Sequence, residues 1–207
     1  MTKEEYIKDP CRTSSLPFWK TEQVVIPAHM AVIRDDEFCP ESCAGTDEPY
    51  FKLIHDLHHI GKPELPAPFE LVSCNITDFA LQINECYTEE SVSPEELSAC
   101  IQRPVYDPAL WIAVYDPVND RIAATGIGET DHRIGEGILE WIQVSPKYRG
   151  RGLGRYIVNE LLYRIKEKAS FVTVSGRLNN PCDPYSLYLS CGFTNPVIWH
   201  IVTDRKE

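Results

Sequence analysis

The chain has 207 residues, room for one domain with an extension or for two small ones. Its 43% hydrophobic and 25% charged residues exclude a largely disordered chain, and no run approaches the ~20 apolar residues of a membrane span. The N-terminus, MTKEEYIKDP, lacks the apolar core of a signal peptide, so the chain reads as cytoplasmic with no membrane partner. Lys and Arg total 20 against 31 Asp and Glu, and a net charge of −11 argues against nucleic acid as a partner.

Residues 1–66 are dotted with prolines and carry three strand-like runs, Gln23–Ile26, Met30–Arg34 and Tyr50–Ile54, but no chemical motif. The stretch Gly61-Lys-Pro-Glu-Leu-Pro-Ala-Pro68 stops both helices and central strands and sets a boundary near residue 67. About 66 residues hardly build an independent core, so 1–66 is expected as an extension packed on a main domain, 67–207. In that domain Phe69–Cys74 reads as a strand, and Thr77-Asp78 precedes a helix with apolar Phe79, Leu81, Ile83 and Tyr87. Ser93-Pro94 opens a second helix as N-cap and first helical residue. Leu110–Tyr115 and Arg121–Gly128 form a hairpin around Asp116-Pro-Val-Asn-Asp120, and a loop, Asp131–Gly137, leads into the strand Ile138–Val144. Leu153, Ile157, Leu161 and Ile165 mark one face of a long helix. A strand at Phe171–Ser175, a short helix near Pro184–Ser190 and a strand at Val197–Val202 follow.

Residues 147–168 hold seven basic and two acidic side chains, a concentration that favours a small anion over a polymer. At its start, Arg149-Gly-Arg-Gly-Leu-Gly-Arg155 follows a strand and opens the long helix. Glycines let backbone N–H groups approach a ligand, the helix N-terminus adds about half a positive charge, and arginines flank it, so the expected ligand is a phosphate or pyrophosphate. A P-loop would need Gly-x-x-x-x-Gly-Lys-Ser/Thr, and a Rossmann turn would need glycine where Arg155 stands. Such a loop also occurs as nothing more than a tight turn. Arg164, Lys166 and Lys168 read as a solvated helix face.

The pattern Arg149-x-x-Gly152-x-Gly154 resembles the acetyl-CoA signature of the GNAT N-acetyltransferase superfamily. Val144-Ser-Pro-Lys-Tyr-Arg-Gly150 resembles that family's strand end and loop, and Leu187-Tyr188-Leu-Ser-Cys-Gly192-Phe193 its later Leu-Tyr-x-x-x-Gly-Phe motif. The resemblance covers about residues 67–207 and leaves 1–66 unexplained. It implies an α/β (α+β) fold, a mixed, mostly antiparallel central sheet flanked by helices. It implies direct acetyl transfer from acetyl-CoA, as cosubstrate, to a primary amine of a small molecule or peptide. The strand carrying Ile142 and Val144 would splay from Phe171–Ser175, with the pantetheine amides pairing main chain near Ile142 and Val144. Arg149, Gly150, Arg151, Gly152, Leu153, Gly154 and Arg155 would hold the pyrophosphate. Asn180 resembles an asparagine many members place before the second motif, with one extra residue before Tyr188.

Tyr188 matches the family's tyrosine near the coenzyme A sulfur, and its phenol could protonate the leaving thiolate; the other reading is a core tyrosine. Alternation places Ile138, Glu140, Ile142 and Val144 on one face, so Glu140 interrupts an apolar strand as a carboxylate suited to base catalysis. Pairing with an arginine, or a solvent-facing position, stands equally open. His132 and His200 are further base candidates. The rival from another class is a non-catalytic acyl-CoA-binding sensor or interaction module. The eight cysteines, without a secretion signal or a Cys-x-x-Cys, read as reduced thiols. Cys39 and Cys43 with His55, His58 and His59 fit no common zinc spacing, so no metal is expected. The acceptor and the oligomeric state, a homodimer included, stay open.

Overall fold

Two turns set the frame of the central segment. Asp116 and Asn119 close the turn between β4 (Tyr106–Asp116) and β5 (Arg121–Asp131), where Asp116 Oδ1 accepts the Val118 N–H at 2.9 Å. Gly135, at φ 69°, closes the turn between β5 and β6 (Glu136–Val144), its N–H donating to the Asp131 carbonyl at 2.9 Å. The expected loop 131–137 is therefore a tight turn, and both strands run to its edges. β3 (Glu70–Val72) adds to β4, giving the antiparallel order β6-β5-β4-β3. The structure is a computed structural model that describes residues 1–43, 45–87 and 91–204.

One face of this meander is shaved by glycines for helix α6 (Leu153–Ile165). A Cβ at Gly126 would collide with Ile157, and one at Gly137 with Ile165. The other face carries α4 (Ile76–Cys86) and α5 (Pro94–Cys100), whose Phe79, Ala80, Ile83 and Leu97 cluster with Ile127. Asn75, rather than Thr77 or Asp78, caps α4, accepting the Asp78 N–H at 2.9 Å. Ser93 and Glu96 form a reciprocal capping box on α5, with Pro94 in its first turn. The strand expected at Phe69–Cys74 shortens to Glu70–Val72.

These elements belong to Leu57–Val172, one of two compact units; the other joins Met1–Asp56 to the chain from Thr173 onward. In the second, β8 (Thr194–Thr203) lies between β1 (Met30–Arg34) and β2 (Thr46–His55), antiparallel to both, with β7 (Phe171–Arg177) next to β2. Gln23–Ile26 forms no strand, and Val25 is 88% exposed. Three short helices escape the sequence pattern: α1 (Lys3–Lys8), α2 (Pro10–Thr13) and α3 (Phe18–Thr21). Fewer than two turns each, they are too short to show a 3.6-residue period.

Lys52 and Trp199 hold those helices down. Lys52 is 1% exposed, and its ammonium donates to Tyr6 Oη at 3.0 Å and to the carbonyls of Pro10, Ser14 and Leu16 at 3.1, 2.9 and 2.8 Å. Trp199 Nε1 donates to the Cys11 carbonyl at 2.9 Å. Phe51, the neighbour of Lys52, stacks edge-on against Tyr185 of α7 (Pro184–Ser190).

Candidate active site

In Leu57–Val172 the expected anion cradle sits at the junction of β6 and α6. Gly150 and Gly152 take φ of 75° and 82°, a region open to glycine and strained for a side chain. No atom lies within 4 Å of a Cβ built on Gly150, so the chain there leaves room for a ligand. Gly152 is the N-cap of α6 and, lacking a side chain, supplies no cap hydrogen bond. The N–H groups of Leu153, Gly154 and Arg155 thus point out of the helix without intrahelical acceptors, at its positive end. Gly154 already lies inside α6 rather than in the loop. Arg149, Arg151 and Arg155 are exposed around it, with Arg151 over the Tyr148 ring at 5.2 Å.

The basic side chains further along are engaged elsewhere. Arg164 pairs with Glu160 at 2.7 Å, Lys168 with Asp107, and Lys166 donates to the Ile60 carbonyl at 3.2 Å. The exposed positive charge therefore gathers at the N-terminal half of the segment.

On β6 the alternation breaks. Gly126 pairs with Ile142 and Gly128 with Leu139, leaving one residue of β5 opposite two of β6, so β6 bulges at residues 140–141. Ile142 reaches the α6 face, where its Cδ1 neighbours Ile157 at Gly126, while Trp141 packs on the α4–α5 cluster. Ile138 pairs with Glu129 and faces away from α6. The expected common face of Ile138, Glu140, Ile142 and Val144 is thus divided, because one extra residue moves everything after it to the opposite side. Glu140 sits half-buried at the bulge, and Val144 pairs with Ala124.

Asn180 and Tyr188 belong to the other unit. Asn180 accepts the Cys182 N–H at 2.9 Å in the turn before α7, whose cap is Asp183. Tyr188 is buried among aromatic rings, its centroid 6.0 Å from Phe51 and 5.5 Å from Phe193. His200 is bound on both sides: Nδ1 lies 2.9 Å from Asp47 and Nε2 3.1 Å from Asp35, with Phe38 stacked on the ring. Burial lowers its pKa, but the two carboxylates outweigh burial and raise it above the ordinary value. His132 is exposed. Among the described residues no three His, Cys, Asp or Glu side chains gather as a metal site, and no helix is long and apolar enough to cross a membrane.

Comparison with known proteins shows what this geometry resembles. Residues 107–195 match the acetyltransferase (GNAT) domain model. That match covers less than half of the chain. The chain's fold is that of GNAT structures, a mostly antiparallel sheet flanked by helices. A GCN5-related N-acetyltransferase from Sphaerobacter thermophilus superposes over 98% of this chain and 66% of its own length, with a TM-score of 0.68 at 17% identity. The ribosomal-protein-S18-alanine N-acetyltransferase of Escherichia coli covers 67% of this chain and 96% of its own, with a TM-score of 0.51 at 19% identity. A tandem GNAT protein of clavulanic acid biosynthesis covers 86% of this chain and 64% of its own, with a TM-score of 0.56 at 14% identity. No curated protein sequence matches significantly.

Sequence reading missed Arg121 and Asn119, which stand beside Lys147 and Arg151 at the same end of the sheet. Strand direction carries the signal: a meander returns the β4–β5 turn to the end where β6 finishes.

Proposed function

We propose that this chain transfers the acetyl group of acetyl-CoA directly to a primary amine of a small molecule or peptide. The observation that carries the reading is the uncapped start of α6 behind two left-handed glycines, with open space beside Gly150. The amides of Gly150 to Gly154, with Arg149, Arg151 and Arg155, hold the pyrophosphate as such helix starts hold anions. Main-chain groups near Ile142 and Val144 pair with the pantetheine amides, and Asn180 contributes to the coenzyme A site.

In the reaction the amine nitrogen attacks the thioester carbonyl carbon. Glu140 takes the proton the nitrogen gives up, the C–S bond breaks, and Tyr188 protonates the departing thiolate. The products are the amide and free coenzyme A. The net charge of −11 steers cationic amines toward the protein.

The test is thiol release from acetyl-CoA across a panel of polyamines, aminoglycosides and peptide N-termini. Release with at least one amine, matched by its acetylated product, supports transfer. Tight coenzyme A binding with no release across the panel moves the chain to the rival reading, a non-catalytic acyl-CoA-binding module.

A further inference from the structure

Part of the positive charge near the start of α6 lies beside the turn between β4 and β5. Lys147, Tyr148 and Arg151 join Asn119 and Arg121 to line a cavity of about 320 Å3 within Leu57–Val172. Asp116 braces its wall. This buried carboxylate accepts the N–H groups of Val118 and Asn119 at 2.9 and 3.4 Å, Asn119 Nδ2 at 2.6 Å, and the Tyr148 hydroxyl. The Asn119 side chain, then the other donors, hold it below the ordinary carboxylate range. One ionised group thus ties the β4–β5 turn to the 3-10 turn Pro146–Tyr148, and its charge is met by those four donors.

Three cations line the cavity so formed. Arg151 is laid over the Tyr148 ring, Lys147 is exposed, and Arg121 pairs with Glu85 at 3.0 Å. That pair leaves the buried Arg121 Nε–H without an acceptor. Three positive charges exceed the two carboxylates, Glu85 and the already hydrogen-bonded Asp116, and make this an anion site by electrostatics and an arginine-lined one by geometry.

We propose that this cavity binds a phosphate monoester dianion beside the amide cradle of α6, with Arg151 common to both. Two sources offer that group: the 3′-phosphate at the nucleotide end of coenzyme A, or a free phosphate anion. The first source rests on the acetyl-CoA reading above; the second does not. Arg121 and Lys147 form the site, Asp116 positions them, and Glu85 competes with the ligand for Arg121.

Calorimetry on the full chain with coenzyme A, 3′-dephospho-coenzyme A and inorganic phosphate tests this. The wild type is expected to bind coenzyme A about tenfold more tightly than the dephospho form. Lys147→Gln and Arg121→Gln each shrink that ratio about threefold without changing affinity for the dephospho form, and Glu85→Gln widens it. Equal affinity for the two coenzymes, with inorganic phosphate binding that Lys147→Gln and Arg121→Gln weaken, assigns the cavity to a free anion and supports the site. Failure of both coenzymes to bind while phosphate still responds to the variants overturns the acetyl-CoA reading and keeps the cavity. The proposal falls if folded Lys147→Gln and Arg121→Gln proteins, singly and combined, move neither the coenzyme preference nor phosphate binding. It falls equally if the wild type shows neither.

Discussion

Leu57–Val172 and the unit that joins Met1–Asp56 to the C-terminal strands are built on opposite plans. In the first, β4, β5 and β6 follow one another through tight turns and α6 folds back on their glycines, so most of its order is between near neighbours in the chain. In the second, Met30 pairs with Thr203 and Tyr50 with Trp199, and the N-terminal helices rest on Lys52 and Trp199. Local contacts leave a signature in turn residues and periodicity; distant ones do not. The loop that resembles the GNAT signature lies in the locally built unit, which is why a short motif is enough to expose it.

Four experiments break or sharpen that contrast. The largest effect is expected from Lys52→Met, which keeps the apolar stem and removes the ammonium that donates to four buried or half-buried oxygen acceptors. A loss of about 3–5 kcal/mol is expected in denaturant unfolding. Amide exchange should rise in α1 to α3 and stay unchanged in β5 and α6. Uniform loosening of both units would erase the distinction.

Gly152→Glu comes next. It places an anion and a strained left-handed side chain at the N-cap of α6, and coenzyme A affinity should fall more than about a hundredfold while the fold persists. Calorimetry with unchanged affinity in a folded variant removes the loop assignment.

Glu140→Gln should cut amine turnover about a hundredfold at nearly constant coenzyme A affinity. Tyr188→Phe should slow turnover by a similar factor. Full turnover in folded Glu140→Gln transfers the base role elsewhere.

The smallest effect concerns His200. With its folded pKa raised by Asp35 and Asp47, its stabilisation is complete below the unfolded value of about 6.5 and is lost as pH rises through the folded value. His200→Asn should flatten the corresponding decline in thermal midpoint on the alkaline side. A midpoint that falls equally in both proteins would detach the decline from this residue.

How far the site was legible follows from these residues. Gly152, Arg149 and the strand–loop–helix order are readable because anion binding needs glycine and cations at fixed spacing. Ser93-Pro94 and Pro184–Ser190 were readable from caps and prolines. The bulge at 140–141 was not, since one inserted residue changes pairing without changing the pattern of residue types, and it divides the face on which Glu140 was read. Nor was Lys52: a lysine in an apolar strand reads as solvent-facing until the carbonyls that surround it are known. Arg121 was hidden because Lys147, Tyr148 and Arg151, which share the cavity with it, come from a different turn.

The place of β8 bears on how the protein is made. β8 is synthesised after every other strand, yet it occupies the slot between β1 and β2. Until it emerges, two strands formed early in synthesis stand with unpaired edges, and the Cys11 carbonyl waits for the Trp199 indole. Leu57–Val172, whose sheet partners are already out, has no such wait. Nascent chains arrested before Thr194 should therefore expose β1 and β2 to chaperones and to proteolysis while the glycine loop and α6 are already protected.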